Sequence, residues 1–458
     1  MKVFVVGIDC GEPSLVFERW RDRLPNLGRL MQAGTYGELT STIPAITVPA
    51  WASMLSSKDP GQLGFYGFRN RADHSYERMT IATARAIKVP RAWNLISAAG
   101  KKVVVAGVPQ TYPVEPVNGA LISSFLTPST QSQYTHPPEL KAEIEGLLDG
   151  EYMFDVGQFR TENKDDLLAQ IYRMAERQHT VVKHLMTSRP WDFFMHVDMG
   201  VDRMHHGFWK FFDATHPKHE PGNPYENAIR DYYVHLDAQI GERLALLDEE
   251  TAVLVVSDHG AKPMVGGICF NEWLKQEGYL VLEHQPAGIV PLEKCEVDWS
   301  RTRAWGSGGY YARLFLNVKG REPEGIIEPE DYERVRDELA ERIAAITDPE
   351  GKPIGSVAYK PEDIYAEVNN IAPDLIVYFG NLSWRSLGSL GTGQVHTFEN
   401  DTGPDDANHA QEGLYIYYNP QRPGEGSGPR RHLMDVAPTL LDLVGVDVPK
   451  DMRGSSFA

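Results

Sequence analysis

Short apolar runs rich in β-branched residues, separated by amphipathic stretches, decide what this chain can fold into. They run from Lys2 to Asp9, Lys102 to Pro109, Asp192 to Asp198, Thr251 to Asp258, Asp374 to Phe379 and Gly413 to Tyr418. Strands alternating with helices build a mostly parallel sheet, because each crossover returns along a face of the sheet and covers it. Helices are predicted from Leu15 to Gln32, from Tyr225 to Leu247 and from Asp331 to Ile346, the last entered through Pro329-Glu330-Asp331 with acidic residues at its positive end. Two long segments interrupt the alternation. Residues 120–185 read as mostly helical and polar, and residues 263–372 mix short strands, notably Ala312 to Val318, with the Asp331 helix. The expected division is an α/β core of residues 1–262 and 373–458, with a helical insertion at about 120–185, and a smaller inserted α+β lobe at 263–372 over one end of the sheet.

Composition narrows the function classes. Of 458 residues, 42% are hydrophobic and 24% charged, which excludes a disordered or collagen-like chain. The 63 acidic against 45 basic residues give a net charge of −18, which repels a phosphate backbone and argues against general nucleic-acid binding. No apolar run approaches the roughly 18 residues of a membrane span. The N-terminus enters a strand directly, without a signal-type segment. Cys10, Cys269 and Cys295 are too scattered for a disulfide framework or a cysteine-rich zinc site, which fits a reducing compartment. The expectation is a cytoplasmic protein with no membrane partner, its oligomeric state open.

In open α/β sheets ligands gather beyond the carboxyl ends of the strands. Asp9 ends the first run, and Asp258-His259-Gly260 ends the run that begins at Thr251. Asp202 and His206 follow the Asp192 run at a four-residue spacing that sets both on one helical face, and His409 directly precedes the last run. Singly, a strand-ending Asp is more often a turn or helix cap than a ligand. His205 loses to His206 on spacing and remains a candidate supporting donor, while His196, His396 and His432 lack a ligand pattern. As a set, the mixed nitrogen and carboxylate donors suit zinc, manganese or iron better than calcium or magnesium. Thr47 precedes a helix announced by Pro49. A Thr there is usually an N-cap, yet a hydroxyl at a helix N-terminus also stands where an incoming phosphate would bind.

Asp9, Thr47, Asp202-x-x-x-His206, Asp258-His259-Gly260 and His409, in this order, resemble the alkaline phosphatase superfamily. Within it the chain is most similar to the type I phosphodiesterase/nucleotide pyrophosphatase branch and its predicted phosphohydrolase and phosphomutase relatives. Leu24-Pro25-Asn26-Leu27-Gly28-Arg29-Leu30 and Asp435-Val436-Ala437-Pro438-Thr439 resemble framework segments of that family. The resemblance implies an alkaline-phosphatase-like core and two divalent metal ions, zinc foremost with manganese or iron as alternatives. Asp202, His206 and His409 would hold one ion, and Asp9, Asp258, His259 and the Thr47 oxygen the other. It also implies hydrolysis of small phosphate esters, nucleotide-derived esters among them, through a phosphothreonine at Thr47.

A sulfatase would need a convertible Cys or Ser where this chain has Thr47-Val48-Pro49-Ala50-Trp51. Thr is the habit of the diesterase branch, so a phosphodiesterase is the leading expectation. A phosphomonoesterase or phosphomutase is the nearest alternative, and a non-catalytic metal-stabilised binding protein a more distant one. Many relatives carry a Gly-x-x-Pro-x-x-His-Gly run, but here Leu63 replaces the His in Ser57-Lys58-Asp59-Pro60-Gly61-Gln62-Leu63-Gly64. Beyond it, Asn70 is a candidate oxyanion donor, suited to a diester, and Arg69 a candidate phosphate clamp, suited to a dianionic monoester. Lys262 is a weaker candidate for a distal phosphate. Trp305-Gly306-Ser307-Gly308-Gly309-Tyr310-Tyr311 joins flexible glycines to aromatic faces able to stack a base or to form a turn.

Overall fold

The computed structural model describes residues 1–148 and 150–458. The elements that position the site are, in chain order, β1 (Val3–Ile8), β2 (Thr35–Thr40), α1 (Thr47–Ser56), β3 (Val103–Ala106), β4 (Gly119–Ile122), β5 (Thr135–His136), α2 (Lys164–Ser188), β6 (Phe193–Asp198), α3 (Gly200–Phe212), α4 (Ala228–Leu244), β7 (Ala252–Val256), β8 (Gly260–Pro263), β9 (Ala312–Leu316), β10 (Leu375–Tyr378), β11 (Ala407–Ala410) and β12 (Glu412–Tyr418). The main sheet runs β2-β12-β7-β1-β6-β3-β4-β5. The pairs β7-β1, β1-β6, β6-β3 and β3-β4 are parallel, whereas β12 is antiparallel to both of its neighbours. Every residue of β1, β6 and β7 is buried, as expected for strands covered on both faces. The α/β architecture with a mostly parallel sheet flanked by helices is therefore the one the alternating runs predict.

Register does the positioning. Ile8 of β1 faces Asp198 of β6, and Gly7 faces Val256 of β7, so the residues just beyond these strands come level at one edge of the sheet. Gly7 has no room for a side chain: a Cβ there would lie 2.6 Å from Val197 and 2.7 Å from the Trp51 ring. That close approach seats α1 against β1.

Three local expectations need correction. The helix from Leu15 to Gln32 is broken into a π-turn at Leu15–Arg19, a 3-10 turn at Arg21–Arg23 and an α-helix at Pro25–Ala33. Proline lacks an N–H and pushes the preceding residue out of the helical region, so Leu24 adopts φ −116° and the chain restarts at Pro25. Residues 120–185 open with β4 and β5 at the sheet edge and turn helical only from Leu140. The run from Asp374 to Phe379 does not join the main sheet. Its strand β10 pairs antiparallel with β9 and with Val357–Tyr359 in a second sheet, because four apolar residues suit a buried strand in either place. The buried apolar residues of that second lobe run from Ile268 to Leu390.

The helix at Pro25–Ala33 has no cap of its own. Asp237 of α4 supplies one: its carboxylate accepts from the amides of Asn26 at 3.1 Å and Leu27 at 2.8 Å and from Asn26 Nδ2 at 2.9 Å. The framework segment around Pro25 thus packs through one buried acid. Asp237→Ala is expected to cost about 2–3 kcal/mol in urea unfolding, since it strands the buried amide of Leu27 and the half-buried amide of Asn26, and Asp237→Asn less. A loss below about 0.5 kcal/mol would show that solvent replaces this cap.

Candidate active site

Strand ends and one helix bring the chemistry together. Asp9 and Asp258 lie two residues beyond the β1–β7 register pair Gly7 and Val256, and both are fully buried. Asp198, at the end of β6, shows the bland fate of a strand-ending acid. Its Oδ1 accepts from Gly200 N at 3.0 Å and Val201 N at 3.3 Å, so it caps α3, and Tyr232 adds a hydroxyl. Asp9 and Asp258 differ. Asp9 Oδ2 accepts from Trp51 Nε1 at 2.7 Å and Asp258 Oδ1 from Cys10 N at 3.1 Å, but Asp9 Oδ1 and Asp258 Oδ2 accept no hydrogen bond.

On α3, Asp202 and His206 share a face as their spacing requires, with His206 Nε2 3.3 Å from Asp202 Oδ1. The antiparallel pair β8-β11 sets His409 opposite Ala261, just beyond Asp258-His259. His409 Nε2 lies 3.3 Å from His206 Nε2 and 3.9 Å from Asp202 Oδ1, and the His259 and His409 rings stack at 3.8 Å. Two groups of converging donors result: Asp202, His206 and His409, and Asp9, Asp202 and His259. Asp202 belongs to both, which the sequence does not reveal. Asp258 joins the second through Oδ2, 3.1 Å from His259 Nε2.

The rings are oriented from behind. His206 Nδ1 meets Asp405 Oδ1 at 2.7 Å, His259 Nδ1 meets Gly260 O at 3.1 Å and His409 Nδ1 meets Ala45 O at 2.9 Å. With Nδ1–H donating in each case, every Nε2 faces inward, where the neutral ring offers the lone pair that a metal-ligating imidazole requires. Burial, then Asp202, raises the Asp9 carboxyl well above its ordinary value, and burial, then Asp9, does the same to Asp258. Burial pushes Asp202 in that direction too, but His206 and Arg203 outweigh it and hold its carboxyl low. Burial lowers His259 to about 4 and, aided by His259, lowers His409. His206 is the exception: Asp405 and Asp202 overcome its burial and carry it to about 9. Two orphaned carboxylate oxygens, three inward imidazole nitrogens and mutual repulsion among buried acids fit divalent cations well.

Thr47 is not an N-cap. Ile46 holds that position in extended backbone, and Thr47 is the first residue of α1. Its hydroxyl is buried, 3.5 Å from His259 Nε2. The amides of Thr47 and Val48 have no acceptor within the helix, and Pro49 has no N–H, so the positive end of α1 opens toward the same place.

A cavity of about 480 Å³ opens on this cluster, lined by Thr47, Asp202, His206 and His409 together with Arg69, Tyr310 and Arg313. Arg69 is among the residues that line it, the side of its hairpin being a point the sequence leaves open. Asn70 is not: it is absent from the lining, and its side chain closes its own turn, Oδ1 accepting from Tyr66 N at 2.7 Å and Nδ2 donating to Gly67 O at 2.9 Å. Lys262 donates to Asn381 O and lines a different cleft. Leu63 fills an apolar cluster with Val48 and Phe65. Tyr310 does stack, on the His206 ring at 4.8 Å. His205 faces Tyr233 and Trp209, while His196, His396 and His432 meet Arg243, Thr347 O and Met434 N.

The sequence reading missed Arg203, bonded to Asp155 and Asp202, Trp51 on Asp9, and Asp405 behind His206. Trp51 was readable as the residue one helical turn past Thr47. Asp405 carried no signal, because it reaches His206 from a loop 199 residues away.

A family model described as type I phosphodiesterase/nucleotide pyrophosphatase matches residues 3–405. The chain belongs to the type I phosphodiesterase/nucleotide pyrophosphatase family. Members of that family are phosphoester hydrolases, and this one is built on their fold. Human ectonucleotide pyrophosphatase/phosphodiesterase 5 superposes with a TM-score of 0.54 at 13% identity, covering 99% of this chain and 97% of its own. An inactive threonine-to-alanine variant of the murine protein, in complex with AMP, gives 0.55 at 12%, covering 98% and 96%. Phosphonoacetate hydrolase from Sinorhizobium meliloti 1021, in complex with phosphonoformate, gives 0.62 at 17%, covering 97% and 95%. No curated protein sequence matches the chain. Among the described residues no helix is long and apolar enough to cross a membrane.

The repelling carboxylates predict a metal-dependent melting temperature for this phosphodiesterase-family chain. Zinc or manganese at a hundredfold excess over its Kd should stabilise the metal-stripped protein by about 2.7 kcal/mol per site. Asp9→Asn should melt higher than stripped wild type and lose part of the metal-induced gain. Indifference of wild type to both metals and to chelator would contradict the arrangement.

Proposed function

We propose that the chain is a two-metal phosphodiesterase that acts through a phosphothreonine at Thr47. The observation that carries this reading is the Thr47 hydroxyl: buried, uncapped, at the positive end of α1, in one cavity with Asp202, His206 and His409. Asp202, His206 and His409 would hold one divalent ion and Asp9, Asp258, His259 and Thr47 the other, with Asp202 between them. Zinc is the first choice and manganese or iron the alternatives. Such ions would supply charge that favours the deprotonated Thr47 hydroxyl and neutralises the phosphoryl oxygens.

The chain's own groups do the rest. Thr47 Oγ1 is held facing the cavity by the rigid start of α1, so its approach to phosphorus costs little reorganisation. The free amides of Thr47 and Val48 balance charge that develops on the phosphoryl group. In the first displacement a Thr47 O–P bond forms, the ester P–O bond breaks and the leaving alcohol takes up a proton. In the second, water adds to phosphorus and Thr47 Oγ1 leaves and regains its proton. Support from outside this chain is the inactive threonine-to-alanine variant of the murine relative and its AMP complex. Nucleotide-derived and other small phosphate esters are the substrates this reading takes.

A second reading has one observation in its favour: Arg69, not Asn70, lines the cavity, which suits a dianionic monoester. The ratio of kcat/KM for bis(p-nitrophenyl) phosphate over p-nitrophenyl phosphate on metal-loaded protein separates the two. A ratio well above one is expected, and a ratio well below one would favour the monoesterase or mutase.

Thr47→Ala should keep its metal and lose about a thousandfold or more in kcat/KM. Near wild-type turnover by that variant would remove Thr47 as nucleophile. Asp258→Ala and His409→Ala should each lose metal by elemental analysis, and full occupancy in either would strike that residue from the ligand set.

A further inference from the structure

Five arginines line the cavity over Thr47: Arg69, Arg160, Arg203, Arg313 and Arg385. Three have carboxylate partners. Arg160 and Arg385 lie 2.9 and 3.3 Å from Asp405, and Arg203 binds Asp155 and Asp202. Arg69 and Arg313 have none among the described residues. Arg69 is exposed, but Arg313 is only 9% exposed. Its guanidinium donates to the Arg69 carbonyl and, at 2.8 Å, to Ser307 Oγ, both neutral acceptors. A nearly buried cation left without an anion is costly, and a protein retains one where an anion arrives.

These arginines also mark a place. A second cavity adjoins the first and shares Arg69, Gly308, Gly309, Arg313 and Arg385 with it, while Thr47, Asp202, His206 and His409 line only the first. The shared residues therefore form the threshold between the two, to one side of the position a phosphorus would take at Thr47. Two further donors stand unused on this wall. Ser386 Oγ and Arg385 Nε, on residues 1% and 5% exposed, have no hydrogen-bond partner. Gly308 packs its backbone closely on the chain after Ser386, since a Cβ there would come within 2.4 Å of Gly388 N. The carboxylates that line the second cavity are those of Glu77 and Glu293, both exposed, and of Asp401, 4.0 Å from Arg385.

We infer that Arg313, with Arg69, Arg385 and Ser386, holds a second anionic group of the substrate, a phosphate or carboxylate a few atoms from the scissile phosphorus. The inference rests on the phosphodiesterase reading of Thr47 and adds a specificity to it. Arginine is the apt donor, because its planar fork meets either oxyanion with two parallel hydrogen bonds. The enzyme then selects doubly anionic esters, and the arginine seen at the cavity wall serves the flank of the substrate instead of the phosphoryl group under attack.

The test compares three diesters that release the same p-nitrophenolate: the ethyl, carboxyethyl and phosphonooxyethyl esters of p-nitrophenyl phosphate. Wild type should turn over at least one anionic ester about tenfold or more faster, in kcat/KM, than the ethyl ester. Whichever of the two is preferred identifies carboxylate or phosphate as the group held. In Arg313→Met the ratio should fall to near one, and Arg313→Lys should restore part of it. General damage to the variant lowers both rates and cancels in the ratio. Calorimetric titration of Thr47→Ala should show the same order of affinities without turnover. A wild-type ratio at or below one, with Thr47-dependent release from all three esters, overturns the inference and leaves the phosphodiesterase reading standing. A ratio that survives unchanged in Arg313→Met overturns the assignment to Arg313. Release that does not depend on Thr47 contradicts the phosphodiesterase reading itself.

Discussion

The constraint on which this structure depends is the burial of Asp9, Asp202 and Asp258 within one water-poor cluster. Like charges so placed cannot all remain ionised without cations, and a chain gains nothing in stability from assembling them. Their assembly is nevertheless built into the most rigid part of the molecule. The parallel register of β1, β6 and β7 makes the strand ends level, and α3 follows β6 directly, so none of the three acids can withdraw without slipping the central sheet. Asp9 is held further by Trp51 on α1, the same helix that begins with Thr47. The group that would be phosphorylated and the acids beneath it thus share one packing unit.

The second lobe completes that unit. Tyr378 of β10 accepts the amide of Ala45 at 2.8 Å, Tyr365 donates to Ile43 O at 2.6 Å, and His409 takes the Ala45 carbonyl. The peptide that leads into Thr47 is therefore clamped between the lobe and the main sheet. Tyr310 from the lobe stacks on His206 and, with Arg160 and Arg385, surrounds Asp405, which orients that ring. The lobe fixes the angle of the nucleophile and a histidine while contributing no donor to either converging group. Its cavity-facing side carries Arg313, so the lobe that steadies the nucleophile would also choose the substrate.

How much of this was legible in the sequence follows from what kind of signal each feature leaves. Strands such as Val3–Ile8 and Ala252–Val256 announce themselves by composition, and Asp202 with His206 by helical spacing. Asp9, Asp258-His259 and His409 are readable because a strand end is a local event with a known place in the sheet. Asp405, Arg313 and Arg385 act across the boundary between lobe and core, and contacts between residues far apart in the chain have no local period. Asn70 and Arg69 are neighbours on one short hairpin strand, where alternation sends them to opposite sides, and a single sequence does not say which side is the site. The strand Leu375–Tyr378 was misplaced for a related reason: a buried strand looks the same in either sheet.

On the proposed mechanism, the buried acid and histidine cluster directs a threonine, not a water molecule, at phosphorus. The stereochemical course of hydrolysis separates these two attacks, using a phosphorothioate diester chiral at phosphorus and water labelled with heavy oxygen. Two in-line displacements through Thr47 predict net retention of configuration. Net inversion would mean that water attacks directly and would contradict the phosphothreonine mechanism.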